Sequence, residues 1–367
     1  MNLRLLDKYI LKQVFIAGIA CIIIFMIIWI MPEIFLKTVQ RTINGVYTVS
    51  EAVSILLNEM PKVLNIALPV GMLLGSLLTF DRLSKGSELT VMRSCGLSFL
   101  RIAAPVLILS VFAAGFTFYT VSKLLPEAAC RLKEIKREDR ISQFVFPVKK
   151  PNGALDKIII VPHFDNNNIK DAVVLNFYDE AKEGSSLLSS ILMSDFVKYK
   201  NSSWTINEAK KYIISQEGIF NSIAAVKDEI ILKGAAADNA YKIMRYSIYR
   251  DRELTNAQIK EYITLLNNEQ MEDEYRFMLN NYIQRFTHSF MCILFAFLGC
   301  VLGFSKPREQ KAAGMLIAAG VIFGYYITIP FFDMLAEKAV LPPYISASAP
   351  AFAVLILCAA LKKIKDL

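Results

Sequence analysis

Six long apolar stretches without a formal charge recur along the chain, and they predict its main helices. They cover residues 13–32, 63–80, 102–122, 286–305, 312–332 and 339–361. Each has the roughly 17–25 residues that an α-helix needs to cross the hydrocarbon core of a bilayer. The first stretch is too long for the apolar core of a signal peptide, and no small-residue cleavage site follows it. The pattern therefore predicts six membrane spans, the first an uncleaved signal anchor.

A hydrophilic segment, residues 123–285, separates the third span from the fourth. After a charged, helix-prone stretch at 127–140, it contains short β-branched runs and then, from Thr255, a helical pattern. The β-branched runs are 157–161, 172–178, 190–199, 204–206, 212–215 and 229–232, and turn formers at 151–153, 165–168, 200–203 and 217–218 interrupt them. Short strands at this spacing are typical of an all-β sandwich or open roll.

These patterns together predict an α+β membrane protein. Three spans precede a β domain outside the cytoplasm, and three follow it. The predicted division is 1–122 for the first three spans, 123–280 for the β domain and 281–367 for the last three spans.

A short polar segment, residues 80–98, interrupts the apolar pattern between the second and third spans. Residues 87–94 predict a two-turn helix because Gly86 precedes them and Gly96 follows them. We expect the Ser87 side chain to cap the first N–H groups, and Glu88 then lies where the helix dipole favours an anion. Such a helix between two spans is well placed to pass a push from a soluble partner into the membrane.

Composition agrees with a membrane protein and excludes several other classes. The 367 residues are 54% hydrophobic and 20% charged, with a mean hydropathy of +0.41. Of six cysteines, only Cys130 lies in the hydrophilic segment, so a disulfide-stapled domain is excluded there, and no pair has metal-ligand spacing. We predict no metal, no cofactor and no nucleic-acid partner.

Catalytic and nucleotide-binding patterns are missing from the sequence as well. It lacks a Gly-x-x-x-x-Gly-Lys-Ser/Thr loop, and neither His163 nor His288 has a nucleophile at a suitable spacing. We interpret His163 as a solvent-facing residue at a strand end and His288 as a packing or interface residue rather than a proton relay. The apolar stretches hold no Asp, Glu, Lys or Arg, which disfavours an ion- or proton-coupled carrier. If this protein's activity requires energy, a different chain must supply it. We predict that this chain itself is not an enzyme.

Basic residues in the short connections predict the orientation. Thirteen lie on one side and four on the other. The thirteen are Arg4, Lys8, Lys12, Arg82, Lys85, Arg93, Arg101, Lys306, Arg308, Lys311, Lys362, Lys363 and Lys365; the four are Lys37, Arg41, Lys62 and Lys338. The positive-inside rule then places both termini and the segment 80–98 in the cytoplasm. The β domain lies outside.

Three motifs resemble the lipopolysaccharide-export permeases of the LptF/LptG (YjgP/YjgQ) type. They are Leu-Asp-Lys-Tyr-Ile at 6–10, Leu-Pro-Val-Gly-Met-Leu-Leu-Gly at 68–75 and Ser-Glu-Leu-Thr-Val-Met-Arg-Ser-Cys-Gly-Leu-Ser at 87–98. Trp204 after Asn-Ser-Ser also resembles a turn-then-tryptophan strand of that family's β domain. The fourth span lacks the family's frequent proline and the last span lacks its Trp-x-Pro-Asn opening, so the F-like and G-like types stay open.

The resemblance implies a half-transporter of the bacterial inner membrane. Two such permeases pair, bind a dimeric cytoplasmic ATPase and take lipopolysaccharide from the outer leaflet of the inner membrane. The lipid passes to periplasmic β-jellyroll domains and onward along a bridge of similar proteins. Two alternatives remain at this point: a membrane scaffold or sensor, and an ABC permease for another lipid or for lipoproteins.

The candidate coupling residues are Ser87, Glu88, Leu89, Met92 and Arg93. Glu88 either engages a basic residue of the ATPase or is a dipole-favoured glutamate, worth ~0.3–1 kcal/mol. Arg93 contacts the ATPase or a lipid head group. Leu89, Met92 and Leu97 either fill a groove on the partner or lie on the membrane surface.

A second candidate set faces the outer side of the membrane. Lys37 and Arg41 either hold the phosphates of an anionic lipid or are interfacial residues that snorkel. Arg131 belongs to a basic cluster with Lys133, Lys136 and Arg137 that contacts a head group or forms a solvated helix face. In the β domain, the apolar residues either line a groove for acyl chains or form an ordinary core; these residues are Ile159, Val161, Val174, Leu175 and Phe177.

Overall fold

The computed structural model describes residues 5–136, 144–150, 155–165, 168–178, 187–215, 217–247, 249, 253–304 and 313–365. The chain divides into two compact units. The first comprises residues 1–136 and 276–367, and the second comprises residues 137–275.

Helices and strands follow one another along the described part of the chain in this order. They are α1 (Leu5–Ile30), a π-helical turn (Met31–Phe35), α2 (Leu36–Ile43), α3 (Val49–Lys85), α4 (Glu88–Ser94), α5 (Phe99–Tyr119), a second π-helical turn (Thr120–Leu124), α6 (Leu125–Lys136), β1 (Phe144–Lys149), β2 (Leu155–Val161), β3 (His163–Asp165), β4 (Asn168–Phe177), β5 (Leu188–Lys200), β6 (Ser203–Ile214), β7 (Phe220–Lys233), α7 (Ala235–Ser247), α8 (Asn256–Asn268), α9 (Glu272–Gly303), α10 (Ala313–Glu337) and α11 (Pro343–Ile364).

Six helices in the described part of the chain are long and apolar enough to cross a membrane, which confirms the predicted number. Each extends beyond its charge-free stretch at one end or at both, because a helix tolerates charges once it leaves the hydrocarbon. The helix α3 begins at a capping box, in which Thr48 Oγ1 accepts from the Glu51 N–H at 3.2 Å. The predicted start of the last span at 339 is wrong. Ala339 lies in a turn with φ 59°, and Pro343 opens the helix.

The helices α3 and α9 are the buried helices of the first unit. In their most apolar stretches 72% and 67% of residues are buried, against 17% in α1 and 11% in α10. A helix that is apolar on all sides and buried contacts other helices rather than lipid. The helices α3 and α9 therefore form the centre of this unit.

Glycines allow α1, α3 and α9 to pack backbone against backbone. A Cβ atom on Gly75 of α3 would lie 2.6 Å from the Cα of Gly18 in α1. A Cβ atom on Gly299 of α9 would overlap the Ser76 hydroxyl and the Leu73 carbonyl of α3. Glycines four residues apart, as in Gly-x-x-x-Gly at 71–75 and 299–303, are typical of such contacts between membrane helices.

The second unit is built on an antiparallel sheet of seven strands. Its order is β1-β2-β4-β5-β6-β7, with β3 paired to β4. The predicted strands 204–206 and 212–215 are wrong as separate strands, because residues 204–206 and 212–214 belong to the single strand β6, which pairs with β7 along its length. The strand β1 was not predicted, since Pro147 within it is unfavourable in a sheet interior. It lies at one edge of the sheet, where proline is tolerated.

The predicted turn at 200–203 is confirmed. Asn201 and Ser202 both have φ 51°, the left-handed conformation of a tight hairpin between β5 and β6. Asp238 of α7 fastens this turn, since it accepts from Tyr199 Oη at 2.5 Å and from Ser202 Oγ at 3.0 Å. These two hydrogen bonds, the first more than the second, lower the pKa of Asp238. The predicted turn at 151–153 lies outside the described residues, as do residues 137–140 of the predicted helix.

Trp204 anchors α7 to the sheet. Its side chain is fully buried, and its Nε1–H donates to the Ala237 carbonyl at 3.0 Å. Ile159, Val161 and Val174 are also buried in this unit. Burial fits an ordinary core and a covered groove equally, so both interpretations of these residues stay predictions.

Candidate functional site

The polar segment 80–98 forms a corner between two long helices. Lys85 ends α3, the short helix α4 follows, and α5 starts at Phe99. Gly96, with φ 82°, lies just beyond α4 and ends it as predicted. Ser98 caps α5, because its Oγ accepts from the Arg101 N–H at 3.3 Å.

The prediction that the Ser87 side chain caps α4 is wrong. Ser87 has φ 62° and ψ 5°, and no side-chain capping hydrogen bond is present. A capping serine needs extended backbone, whereas Ser87 uses the left-handed region to turn the chain sharply between α3 and α4. Ser87 therefore contributes to the fold through its backbone conformation and not through its side chain.

Glu88 occupies the first turn of α4, as the sequence predicts. Its side chain is half-buried, and its Oε1 accepts a long hydrogen bond, 3.4 Å, from Tyr9 Oη of α1. The carboxylate therefore lies between α1 and the surface of the corner. Glu88 retains exposed surface with which to meet a cationic group.

Leu89 has an arrangement that the sequence did not predict. It is 1% exposed and packs in one apolar cluster with Phe80, Phe99 and Ile102 of the neighbouring spans. Met92 lies partly buried against the same cluster. The inner face of α4 is thus fixed to this chain's own core. The outer face, Thr90, Val91, Arg93 and Ser94, is exposed.

Arg93 connects α4 to the end of α9. Its guanidinium carbon lies 5.4 Å from the centroid of the Phe304 ring, a cation–π distance. The Phe304 ring in turn contacts Phe99 edge-on at 6.1 Å, and Phe99 contacts Phe80 at 6.3 Å. The aromatic side chains link the outer face of α4 to α3, α5 and the segment after α9.

Lys365 holds the end of α9 in place from the other side. Its ammonium donates to the carbonyls of Val301, Leu302 and Phe304 at 2.8, 3.1 and 2.6 Å. These carbonyls lack helical partners because α9 ends at Gly303. A cation at a helix C-terminus also complements the helix dipole.

The three predicted head-group residues are exposed, and they lie on two helices. Lys37 and Arg41 are one turn apart on α2, whereas Arg131 lies on α6. Arg41 is held by Tyr47, whose Oη accepts from the guanidinium at 2.9 Å. Part of the basic cluster on α6 is neutralised, since Lys136 forms a 2.9 Å ion pair with Glu59 of α3. Arg137 lies outside the described residues.

A comparison with known proteins decides the family. The family described as lipopolysaccharide export system permease LptF/LptG matches residues 8–363. The chain belongs to this family. With its six apolar helices, this LptF/LptG-family member is a multi-pass membrane protein.

Individual relatives match only part of this LptF/LptG-family chain. Lipopolysaccharide export system permease proteins LptF from Escherichia coli strain K12, Escherichia coli O157:H7 and Shigella flexneri are each 26% identical over 194 residues. The match covers 51% of this chain and 51% of each relative. The chain thus spans about half the length of the curated relatives it matches.

The LptF/LptG-family motif at 68–75 contains a proline whose effect reaches α9. Pro69 has no N–H, so the carbonyl of Asn65 in α3 loses its helical donor. His288 Nε2 lies 3.1 Å from that oxygen. Because a carbonyl only accepts, His288 carries its proton on Nε2, and Nδ1 faces Tyr325 Oη at 3.5 Å. His288 thus satisfies one backbone acceptor of α3, and its interpretation as a packing or interface residue stays a prediction.

We expect His288→Ala to lower the free energy of unfolding by about 1–3 kcal/mol, because it leaves the Asn65 carbonyl unsatisfied. Pro69→Ala restores an N–H to α3, so the cost of His288→Ala should shrink in that background. Unfolding in detergent, by heat or by increasing dodecyl sulfate, measures the stability of the unmodified chain, of each single variant and of the double variant. These four stabilities form a double-mutant cycle. An equal cost of His288→Ala in both backgrounds would contradict this account.

Proposed function

We propose that this chain is a permease subunit of an ATP-driven lipopolysaccharide export complex in the bacterial inner membrane. The observation that carries the proposal is the family match over residues 8–363. In this proposal the chain takes lipopolysaccharide from the outer leaflet of the inner membrane. It then passes the lipid to its own periplasmic β-jellyroll-like domain and on to periplasmic bridge proteins of similar fold.

The distribution of charge supports an orientation for the proposed permease. Basic residues favour one side of the six spans by thirteen to four, so both termini and α4 are proposed to be cytoplasmic. The sheet unit, whose sequence lies between the third and fourth candidate spans, is then periplasmic. This gives the three-plus-three arrangement.

The free energy needed to extract a lipid from the bilayer supports an energy source on a separate chain. Moving a lipid tail out of a bilayer costs ~0.8 kcal/mol per CH₂, so a single twelve-carbon chain costs on the order of 10 kcal/mol. The sequence contains no phosphate-binding loop of the Walker type. We therefore propose that a dimeric cytoplasmic ATPase supplies the energy, and that this chain, as a non-catalytic subunit, pairs with a second LptF/LptG-type permease.

The corner at α4 suggests how force enters the spans. Glu88 and Arg93 offer charges of opposite sign at the two ends of α4, and its outer face is exposed. On its inner face, Leu89 packs against Phe80 and Phe99 of the adjoining spans. A close-packed cluster transmits displacement because it has no free volume to absorb it. A push on α4 therefore moves α3 and α5.

The exposed cations outside the predicted cytoplasmic face support a role in binding lipid phosphates. Lys37 and Arg41 are one turn apart on α2, and Tyr47 orients the Arg41 guanidinium. A fixed guanidinium binds phosphate with two parallel hydrogen bonds. We assign Lys37, Arg41 and Arg131 to the head group in this proposal.

Purification of the tagged chain in a mild detergent tests the proposal. Mass spectrometry should detect an ATPase, a second six-span permease and a lipid A-type molecule, and an unrelated tagged six-span protein purified in the same way should yield none of them. Recovery without an ATPase would contradict the proposal in favour of a scaffold or sensor. Recovery with an ATPase and a different lipid or a lipoprotein would contradict the substrate alone.

A further inference from the structure

The first turn of α1 contacts both elements that follow α3. Asp7 accepts from the two terminal nitrogens of Arg101 in α5, with Oδ1 to Nη1 at 2.8 Å and Oδ2 to Nη2 at 2.9 Å. Two residues further on, Tyr9 donates to Glu88 of α4 at 3.4 Å. The beginning of α1 thus touches α4 and also α5, the span that follows it.

The Asp7–Arg101 contact has the geometry of a specific link rather than of a chance surface pair. Asp7 is 5% exposed. Two parallel hydrogen bonds fix the planes of the carboxylate and the guanidinium relative to each other. Arg101 lies in the first turn of α5, where the helix dipole disfavours a cation, and Asp7 supplies the compensating negative charge.

Apolar packing continues the same contact into the membrane. Ile10 and Val14, one and two turns after Asp7, are buried in the apolar cluster that also contains Leu89 and Phe99. The opposite side of α1 is exposed, as at Phe15, which is 50% exposed. One side of α1 therefore packs against α4 and α5, while the other side is exposed and available to lipid.

We propose that Asp7 and Arg101 are positioning residues that make α1 move together with α4 and α5 when the ATPase acts. This inference rests on the proposed function. The ion pair fixes the first turn of α1 to α5, and Tyr9 contacts Glu88 of α4 beside it. The displacement of α4 is thereby passed to a helix whose outer side faces the bilayer, where an acyl chain has to be moved.

The link between Asp7 and Arg101 is tested in vesicles that contain the complete complex, by measuring how much lipopolysaccharide is exported per ATP hydrolysed. Asp7→Asn and Arg101→Gln should each reduce export per ATP at least tenfold, while ATP hydrolysis stays within twofold of the unmodified complex. The exchanged pair, Asp7→Arg with Arg101→Asp, should restore most of the export. Lys85→Gln, which removes the exposed Lys85–Asp81 pair of the same corner, serves as the matched control and should export normally.

Each result either supports or overturns the proposed role of the Asp7–Arg101 pair. Export per ATP unchanged in Asp7→Asn would overturn the inference and leave the proposed function intact. An unmodified complex that exports no lipopolysaccharide would overturn the proposed function and this inference with it. If the single variants fail to accumulate in the membrane, the exchanged pair decides: recovered accumulation and export support the link, and failure to recover them overturns it.

Discussion

We expect Glu88→Ala to reduce lipopolysaccharide export and lipid-stimulated ATP hydrolysis at least about tenfold in the reconstituted complex, corresponding to ~1.4 kcal/mol or more. The reason is the place of Glu88 at the start of α4, half-buried beside Tyr9 and still partly exposed. In the proposed mechanism its carboxylate meets a cationic group of the ATPase. Removal of that charge disconnects the motor from α4, although α4 itself stays packed through Leu89.

Two further variants separate the charge of Glu88 from its local hydrogen bond. Glu88→Gln keeps the size of the side chain and an oxygen for Tyr9 but removes the charge, so it should behave like Glu88→Ala. Lys85→Gln removes an exposed charge of the same corner that lies outside α4, and it should leave export normal. Normal export by Glu88→Gln would remove the carboxylate from the coupling mechanism.

Gly299→Ala should destabilise the helical unit by about 1–3 kcal/mol, the usual cost of inserting atoms into a well-packed core. The added Cβ would meet the Leu73 carbonyl, which is backbone and cannot change rotamer, as well as the Ser76 hydroxyl. The helices α3 and α9 would have to separate, and the buried contacts between them would be lost. The melting temperature of the purified full chain in detergent measures the effect.

Gly320→Ala is the matched control for this prediction. Gly320 lies within α10, and a Cβ atom there meets nothing within 4 Å. Alanine is favoured over glycine in a helix by roughly 0.5–1 kcal/mol, so this variant should be as stable as the unmodified chain or slightly more stable. Equal melting temperatures for Gly299→Ala and Gly320→Ala would show that the close approach of α3 and α9 does not matter.

The sequence predicts the helices better than the strands, and the reason is the strength of each signal. A charge-free stretch long enough to cross a bilayer has few alternatives, so the six candidate spans are all present. A strand of the sheet needs only a few alternating residues, and polar side chains on the open face of β6 interrupt the pattern between 206 and 212. The pattern does not indicate β1 for a different reason, because Pro147 lies inside that strand and proline is unfavourable in the interior of a sheet.

For the candidate site, the sequence predicts the short helix but not what its side chains contact. Seven residues are too few for periodicity to show which face of α4 is buried, so the position of Leu89 in the core was not foreseen. The Asp7–Arg101 pair joins residues 94 positions apart, and no local pattern connects them. The four-residue spacing of Gly299 and Gly303 indicates close helix packing, but it does not identify α3 as the partner helix.

The glycine contacts also restrict the route that a lipid can take. Where Gly299 meets Leu73 and Gly75 meets Gly18, the helices approach so closely that a single methyl group does not fit. An acyl chain, which is wider than a methyl group along its whole length, cannot slip through either seam. In the proposed permease, a passage for a hydrocarbon tail is therefore confined, in this arrangement of the helices, to the other helix boundaries.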